Sequence, residues 1–132
     1  MPFLLDTNII SHIIREPKGP AARRLTHHPA GDVITSIIVA GEVLFGFLRK
    51  ASTVQQARFE ALLARVPPAA FEAPADRLYA ELRWQLERRG SSIGANDMLI
   101  AAHALALDCT LVTANEREFR RVPGLKVENW LI

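Results

Sequence analysis

Three carboxylates stand where the neighbouring residues favour leaving water. Asp6 lies in "FLLDTNII", between the apolar run Phe3-Leu4-Leu5 and Ile9-Ile10. Glu42 lies in "VAGEVLFG", with Ile38 and Val39 one turn before it and Phe45 and Gly46 one turn after. Asp97 has Ile93 and Gly94 before it and Ile100 and Ala101 after it. On a helix, residues three and four apart share a face, so Glu42 and Asp97 are expected to point where apolar side chains point. A buried, unpaired carboxylate is costly and needs a cation, hydrogen-bond donors or a capping role. Each acid alone has an ordinary explanation: Asp6 as an N-cap, Asp97 as a first-turn acid, Glu42 as partner to a buried arginine. By contrast, Glu81 and Glu87 follow Arg77 and Arg83 by four residues on a helix with a polar side, as solvated charges do.

If the three acids converge, their mutual repulsion keeps them from all staying ionised unless a cation joins them. Oxygen-only ligands without His or Cys select a hard ion, Mg²⁺ or Mn²⁺. Such an ion lowers the pKa of a bound water and neutralises charge on a phosphoryl group, so the chemistry is metal-dependent phosphodiester hydrolysis. Thr7, Asn8, Ser36, Thr113 and Asn115 lie beside these positions and can hold a carboxylate or a metal-bound water, or cap helices and turns.

The elements that must position the acids alternate between strand and helix. Residues 3–5 read as a strand, followed by a helix from Thr7 and Asn8 to about Arg15 and a short helix over 21–27. "DVITS" reads as a strand, and Ser36 opens the helical run "IIVAGEVLFGFLRK". "STVQ" at 52–55 is a capping box for a helix that buries Phe59, Leu62, Leu63 and Val66. "AAFEA" is expected to be a short third strand. Pro74 opens a helix with Leu78, Leu82 and Leu86 on one side, "SSIGAND" reads as a loop before the helix "MLIAAHALALD", "CTLVTAN" as a strand, and "LKVENW" as an edge strand. This alternation predicts an α/β sandwich on a central, mainly parallel sheet. Such a sheet brings strand ends and helix starts to one edge, where Asp6, Glu42 and Asp97 can meet.

Composition sets wider bounds. At 132 residues a single domain over 1–132 is expected, with 49% hydrophobic residues to build its core. No apolar run reaches membrane-span length and no signal-peptide pattern opens the chain, so a cytoplasmic protein is expected. Cys109 stands alone, which removes an internal disulfide and a Cys-based zinc site, and its apolar setting makes it a core residue. Net charge is +2, yet arginine outnumbers lysine thirteen to three, a bias compatible with phosphate recognition. Arg88 and Arg89 before the Asp97 loop, with Arg117, Arg120 and Arg121 near Glu118, are candidates for an RNA-binding rim. His103, six residues past Asp97, reads as a packing or surface residue rather than a proton shuttle.

The segments "LLDTNII", "ITSIIVAGEVLFG", "GANDMLIAAHAL" and "LVTANEREFRRVPGLKVENW" resemble, in order and spacing, the PIN-domain ribonucleases, and more narrowly the VapC toxins of toxin–antitoxin pairs. The resemblance implies a Mg²⁺- or Mn²⁺-dependent endoribonuclease on a three-layer, Rossmann-like α/β/α fold. It makes Asp6, Glu42 and Asp97 the metal-binding catalytic acids and Glu118 the fourth acid. Many PIN proteins carry aspartate where this chain has Asn115, and Glu116 is the rival of Glu118. The resemblance also implies a small VapB-type antitoxin, docking near "EVLFGFLRK" and the helix from Ser52 and sending an arginine into the acidic pocket. A homodimer and an RNA substrate, in some relatives tRNA, belong to the same expectation. Two alternatives stand beside it: a PIN-type nuclease of RNA processing without an antitoxin, and a non-catalytic, Mg²⁺-binding receiver-like module, for which "LVTAN" lacks the needed lysine.

Overall fold

Short runs of apolar residues without polar alternation make strands that are covered on both faces, the pattern of a parallel sheet. The computed structural model describes residues 2–132. β1 (Phe3–Leu5) lies at the centre of five strands, with β2 (Val33–Ser36) and β3 (Pro68–Ala69) on one side and β4 (Thr110–Val112) and β5 (Val127–Glu128) on the other. All four pairings are parallel, and Leu5 stands in register with both Thr35 and Val112. Leu4, Leu5, Val33, Leu111 and Val112 are fully buried, each contributing on the order of 1.5–3 kcal/mol of apolar burial.

Around the sheet lie α1 (Thr7–Arg15), α2 (Pro20–Thr26), α3 (Ile37–Lys50), α4 (Thr53–Arg65), α5 (Ala75–Arg88), α6 (Ala95–Ala106) and α7 (Glu116–Phe119). Side-chain oxygens cap three of them: Asp6 accepts from Thr7 N, Ser36 from Ile38 N and Ser52 from Gln55 N. Gly90, with φ +65°, follows the end of α5 in the left-handed region, and Ser91 N reaches back to Leu86 O. α1 buries Ile9, Ile10, Ile13 and Ile14 against the core. At the opposite end of the sheet, Trp130 is fully buried between Phe3 and His28.

The crossovers turn one way from β1 to β2 and β3, then return to β4 and β5 on the far side. The strand order therefore reverses between β1 and β4, and the crevice beyond their carboxyl ends is where such sheets bind ligands.

Several boundaries differ from expectation. The third strand is Pro68–Ala69, not 69–73: only Thr35 and Ser36 of β2 are in register with it. α6 begins at Ala95, so Asn96 and Asp97 belong to its first turn rather than to a loop. The short α7 over "EREF" has too few residues to show a periodic face. Leu62 and Leu63 are only partly buried, while Phe59 and Val66 carry the contact of that helix.

Candidate active site

The crevice beyond β1 and β4 holds four carboxylates from four separate segments. Asp6 ends β1, Glu42 lies in the second turn of α3, Asp97 in the first turn of α6, and Glu118 in α7. Their charges reach one another: the carboxyl of Asp97 is pushed up to about 7 by burial, then by the charges of Asp6, Glu118 and Glu42.

Asp6 is 3% exposed and its pKa is raised, chiefly by burial, with Glu42 adding to the effect. Donors oppose this shift. Thr113 Oγ1 donates to Asp6 Oδ2 at 2.8 Å, Thr7 N to Oδ1 at 2.8 Å and Asn8 Nδ2 to Oδ2 at 3.3 Å. Parallel registry explains the first: Asp6 N bonds Val112 O, so the residue after β1 lies beside the residue after β4. Thr113 is itself held, because Asn115 N donates to its Oγ1, and Asn8 Oδ1 accepts from Ala114 N. Capping and presentation of a carboxylate at the crevice are thus one geometry in Asp6.

Glu42 is half-buried, and both of its oxygens are held. Thr7 Oγ1 donates to Oε1 at 2.8 Å and Asn96 Nδ2 to Oε2 at 3.2 Å. The expected core-facing direction of Glu42 is corrected by the structure. α3 buries Val39, Ala40, Val43 and Phe47, whereas Phe45 is 62% exposed. α3 is apolar nearly all round, so sequence spacing alone did not distinguish its core face from its open one.

Glu118 is the fourth carboxylate of the crevice. It accepts from Gly94 N at 2.8 Å and from Asn115 Nδ2 at 2.6 Å. The Gly94 bond, ahead of the other donors, holds its pKa below the usual range. Glu118 and Asp97 thus shift in opposite directions, Glu118 lowered by its donors and Asp97 raised to about 7 by burial and the neighbouring charges. Glu116 is instead committed to Arg120 at 3.0 Å and to Asn129 at 3.2 Å. A Cβ at Gly94 would lie 3.6 Å from Asp97 Oδ2 and 3.8 Å from Glu118 Oε1, so glycine keeps the space between these acids open.

Of the two roles expected for Ser36, the structure shows the helix cap and no contact with a carboxylate. Its Oγ accepts from Ile38 N and lies 2.7 Å from His103 Nδ1. Gly94 and Asn96 were not singled out from sequence. Their signal was the polar "GAND" start of a helix, whose free N–H groups and side-chain amide face an acid.

The donor set, oxygen-only and strongly self-repelling, fits a hard divalent cation, which would relieve the repulsion that Asp97 records. Among the described residues no group of three or more His, Cys, Asp or Glu side chains is arranged to hold a metal ion. A largely hydrated ion suits that spacing, because Mg²⁺ keeps several waters and takes one or two carboxylates directly.

An open parallel sheet carrying a ring of acids at its switch point defines an acid-cluster nuclease class of site. The profile of the PIN domain matches residues 3–125. "Ribonuclease VapC2" of Rickettsia felis is 38% identical over 132 residues, covering 98% of both chains. "tRNA(fMet)-specific endonuclease VapC" of Shigella flexneri is 30% identical and covers 98% of both. Among solved structures, VapBC2 from Rickettsia felis bound to a DNA fragment from its promoter has a TM-score of 0.89 at 36% identity, covering 98% of this chain and 99% of that one. The chain belongs to the PIN-domain family and, within it, to the VapC ribonucleases. The receiver-like alternative is set aside by this match.

Proposed function

We infer that this chain is the endoribonuclease toxin of a VapBC-type toxin–antitoxin pair. The observation that carries the reading is the gathering of Asp6, Glu42, Asp97 and Glu118 at the β1–β4 crevice, with Asp97 raised to about 7 by burial and then by its neighbours' charges. Mg²⁺ or Mn²⁺ is the proposed cofactor, with Asp6, Glu42 and Asp97 holding it in part through its water shell. Bound there, the ion would activate water and neutralise charge developing on the scissile phosphate.

The chain's own part is orientation. Thr113, Asn8 and the Thr7 N–H aim Asp6; Thr7 and Asn96 fix Glu42; Gly94 N–H and Asn115 fix Glu118. Such supports typically carry about 10–100-fold in metal affinity or activity. Attack by water in line leaves 5′-phosphate and 3′-hydroxyl ends.

Partners follow from the surface. Leu44, Phe45 and Leu48 of α3 and Val54 of α4 are exposed. Beside them a cleft of about 370 Å³ runs between α1 and α3 from Phe47 and Ile14 to Thr7, Asn8 and Glu42. An antitoxin segment lying along the apolar part would reach the acids through this cleft, and the acids would receive an arginine. Part of the same apolar surface is available for a homodimer. RNA is the substrate class, with tRNA proposed by analogy with the tRNA(fMet)-specific endonuclease VapC of Shigella flexneri. The five arginines of the proposed rim differ in their contacts. Arg120 is paired with Glu116 and Arg121 donates to Ser92 O, leaving Arg88, Arg89 and Arg117 without an ion pair among the described residues. Among the same residues, no helix is long and apolar enough to cross a membrane.

Incubating the purified chain with total bacterial RNA, with and without Mg²⁺ or Mn²⁺, tests the reading. Cation-dependent fragments with 5′-phosphate ends are expected; no cleavage with either ion overturns it.

A further inference from the structure

We propose that Trp84, Arg88 and Arg89 form a subsite for single-stranded RNA, in which the indole stacks on a base and the guanidinium groups take flanking phosphates. The proposal rests on the ribonuclease reading above and adds a place where substrate is held away from the acids. α5 turns Leu82 and Leu86 into the core and leaves Trp84 62% exposed. The chain's other tryptophan, Trp130, is fully buried. A bulky indole in water has no packing reason to be there, and an aromatic face with adjacent cations is the platform that single-stranded nucleic acid uses.

The surroundings match a polyanion with flat bases. Arg88 Cζ lies 5.5 Å from the centre of the Trp84 ring, so the guanidinium and the indole present themselves together. Gln85, Arg89 and Pro123 complete a shallow depression of about 640 Å³ whose lining contains no carboxylate. Arg88 and Arg89 make no ion pair among the described residues.

Position links this depression to the acids. From Arg89 the chain runs to Gly94, whose N–H holds Glu118, and Pro123 follows Glu118 on the other wall. Arg121 Nη1 donates to Ser92 O at 3.2 Å and fastens the two segments together. Five residues of fully extended chain reach roughly 18 Å at most, so Arg89 is within a few nucleotides of the Gly94–Glu118 contact. RNA anchored on Trp84 would therefore pass the acids with its next few phosphates.

The test is tryptophan emission during titration of the full chain with a short 2′-O-methyl oligoribonucleotide, at low salt and in EDTA. Quenching is expected, and it reports Trp84 because Trp130 is out of solvent. Trp84→Ala should weaken binding about tenfold and raise KM for RNA cleavage. Trp84→Phe, which keeps a ring, should restore most of both. Arg88→Ala and Arg89→Ala should each lower the salt slope of binding by about 0.7. Equal melting temperatures of these surface variants would show that folding is intact. Unchanged emission at saturation, no binding at all, or wild-type affinity in Trp84→Ala would overturn the subsite. So would an emission change that follows protein concentration without RNA, because a second copy would then cover the ring. Wild-type cleavage with normal Trp84→Ala kinetics sinks this proposal alone, whereas absence of cation-dependent cleavage in the wild type sinks the ribonuclease reading itself.

Discussion

The Ser36 hydroxyl and His103 Nδ1 are 2.7 Å apart, joining the cap of the helix that carries Glu42 to the helix that carries Asp97. His103 Nε2 lies 3.0 Å from the Ala70 carbonyl, which can only accept. That fixes the neutral tautomer: Nε2–H donates to Ala70, and Nδ1 accepts from Ser36. Ser36 Oγ is left to accept from Ile38 N. His103 is 1% exposed and packs edge-on against Phe71, as a structural histidine does.

This network makes stability fall on acidification. Burial lowers the His103 pKa below its ordinary 6.5, against smaller raising effects from the Ala70 carbonyl and Glu72. Below about pH 6.5 the unfolded chain takes up a proton that the folded chain refuses, so folding weakens as pH falls toward the lowered value. His103→Ala should cost about 2–4 kcal/mol at pH 7.5, through the cavity and the orphaned Ser36 hydroxyl. The difference in stability from wild type should narrow by pH 5.5 in urea titrations. A gap that stays constant with pH would disprove the neutral buried state.

Asp97→Asn should stabilise the cation-free protein while abolishing cleavage. Its carboxyl, raised to about 7, makes the folded chain bind a proton that the unfolded chain releases at lower pH. Between about 4 and 7, rising pH therefore weakens folding through this group. Removing the charge at pH 8 in EDTA should add about 1 kcal/mol, roughly 4 °C in Tm. A lower Tm for Asp97→Asn would mean that the acids do not repel one another as described.

Adding Mg²⁺ or Mn²⁺ should stabilise the wild type by about 1.4 kcal/mol at ten times the ion's Kd. The same titration should leave Asp6→Asn and Asp97→Asn nearly unmoved, and both should lose at least about 100-fold in cleavage. Full activity in either purified variant would refute the ligand assignment.

Gly94→Ala separates space from backbone freedom. Gly94 has φ −56° and ψ 151°, which alanine adopts without strain. The fold should therefore hold or gain about 0.4–1 kcal/mol. A methyl group 3.6 Å from Asp97 Oδ2 would make an ordinary van der Waals contact but occupy space beside the acids that a hydrated cation would need, so cleavage should drop about tenfold. Normal kinetics in this variant would show that the gap has no role.

Thr113→Val removes a donor to Asp6 and an acceptor from Asn115 N. Apparent cation affinity in cleavage assays should fall about 10–100-fold. Unchanged cation dependence would make Thr113 a turn residue only.

Much of this was legible along the chain, because strand, helix and cap signals are local. The apolar run before Asp6, the uninterrupted "IIVAGEVLFGFLRK" and the serines at 36 and 52 define elements through neighbours a few residues apart, and the structure kept them. The misplaced acids Asp6, Glu42 and Asp97 were likewise conspicuous, since a charge beside apolar residues is a local contradiction. Only tertiary structure decided what those residues face. Glu42 turns toward Thr7 and Asn96, Ser36 toward His103 rather than an acid, and Glu118 rather than Glu116 toward the crevice. Those choices join residues on α1, α3, α6 and α7 that lie far apart along the chain, while parallel registry of β1 with β4 sets the residues after Leu5 and Val112, Asp6 and Thr113, side by side. Sequence neighbours determine whether a segment is strand or helix; contacts between residues 24 to 107 positions apart, from Gly94–Glu118 to Thr113–Asp6, determine which of its side chains share a site.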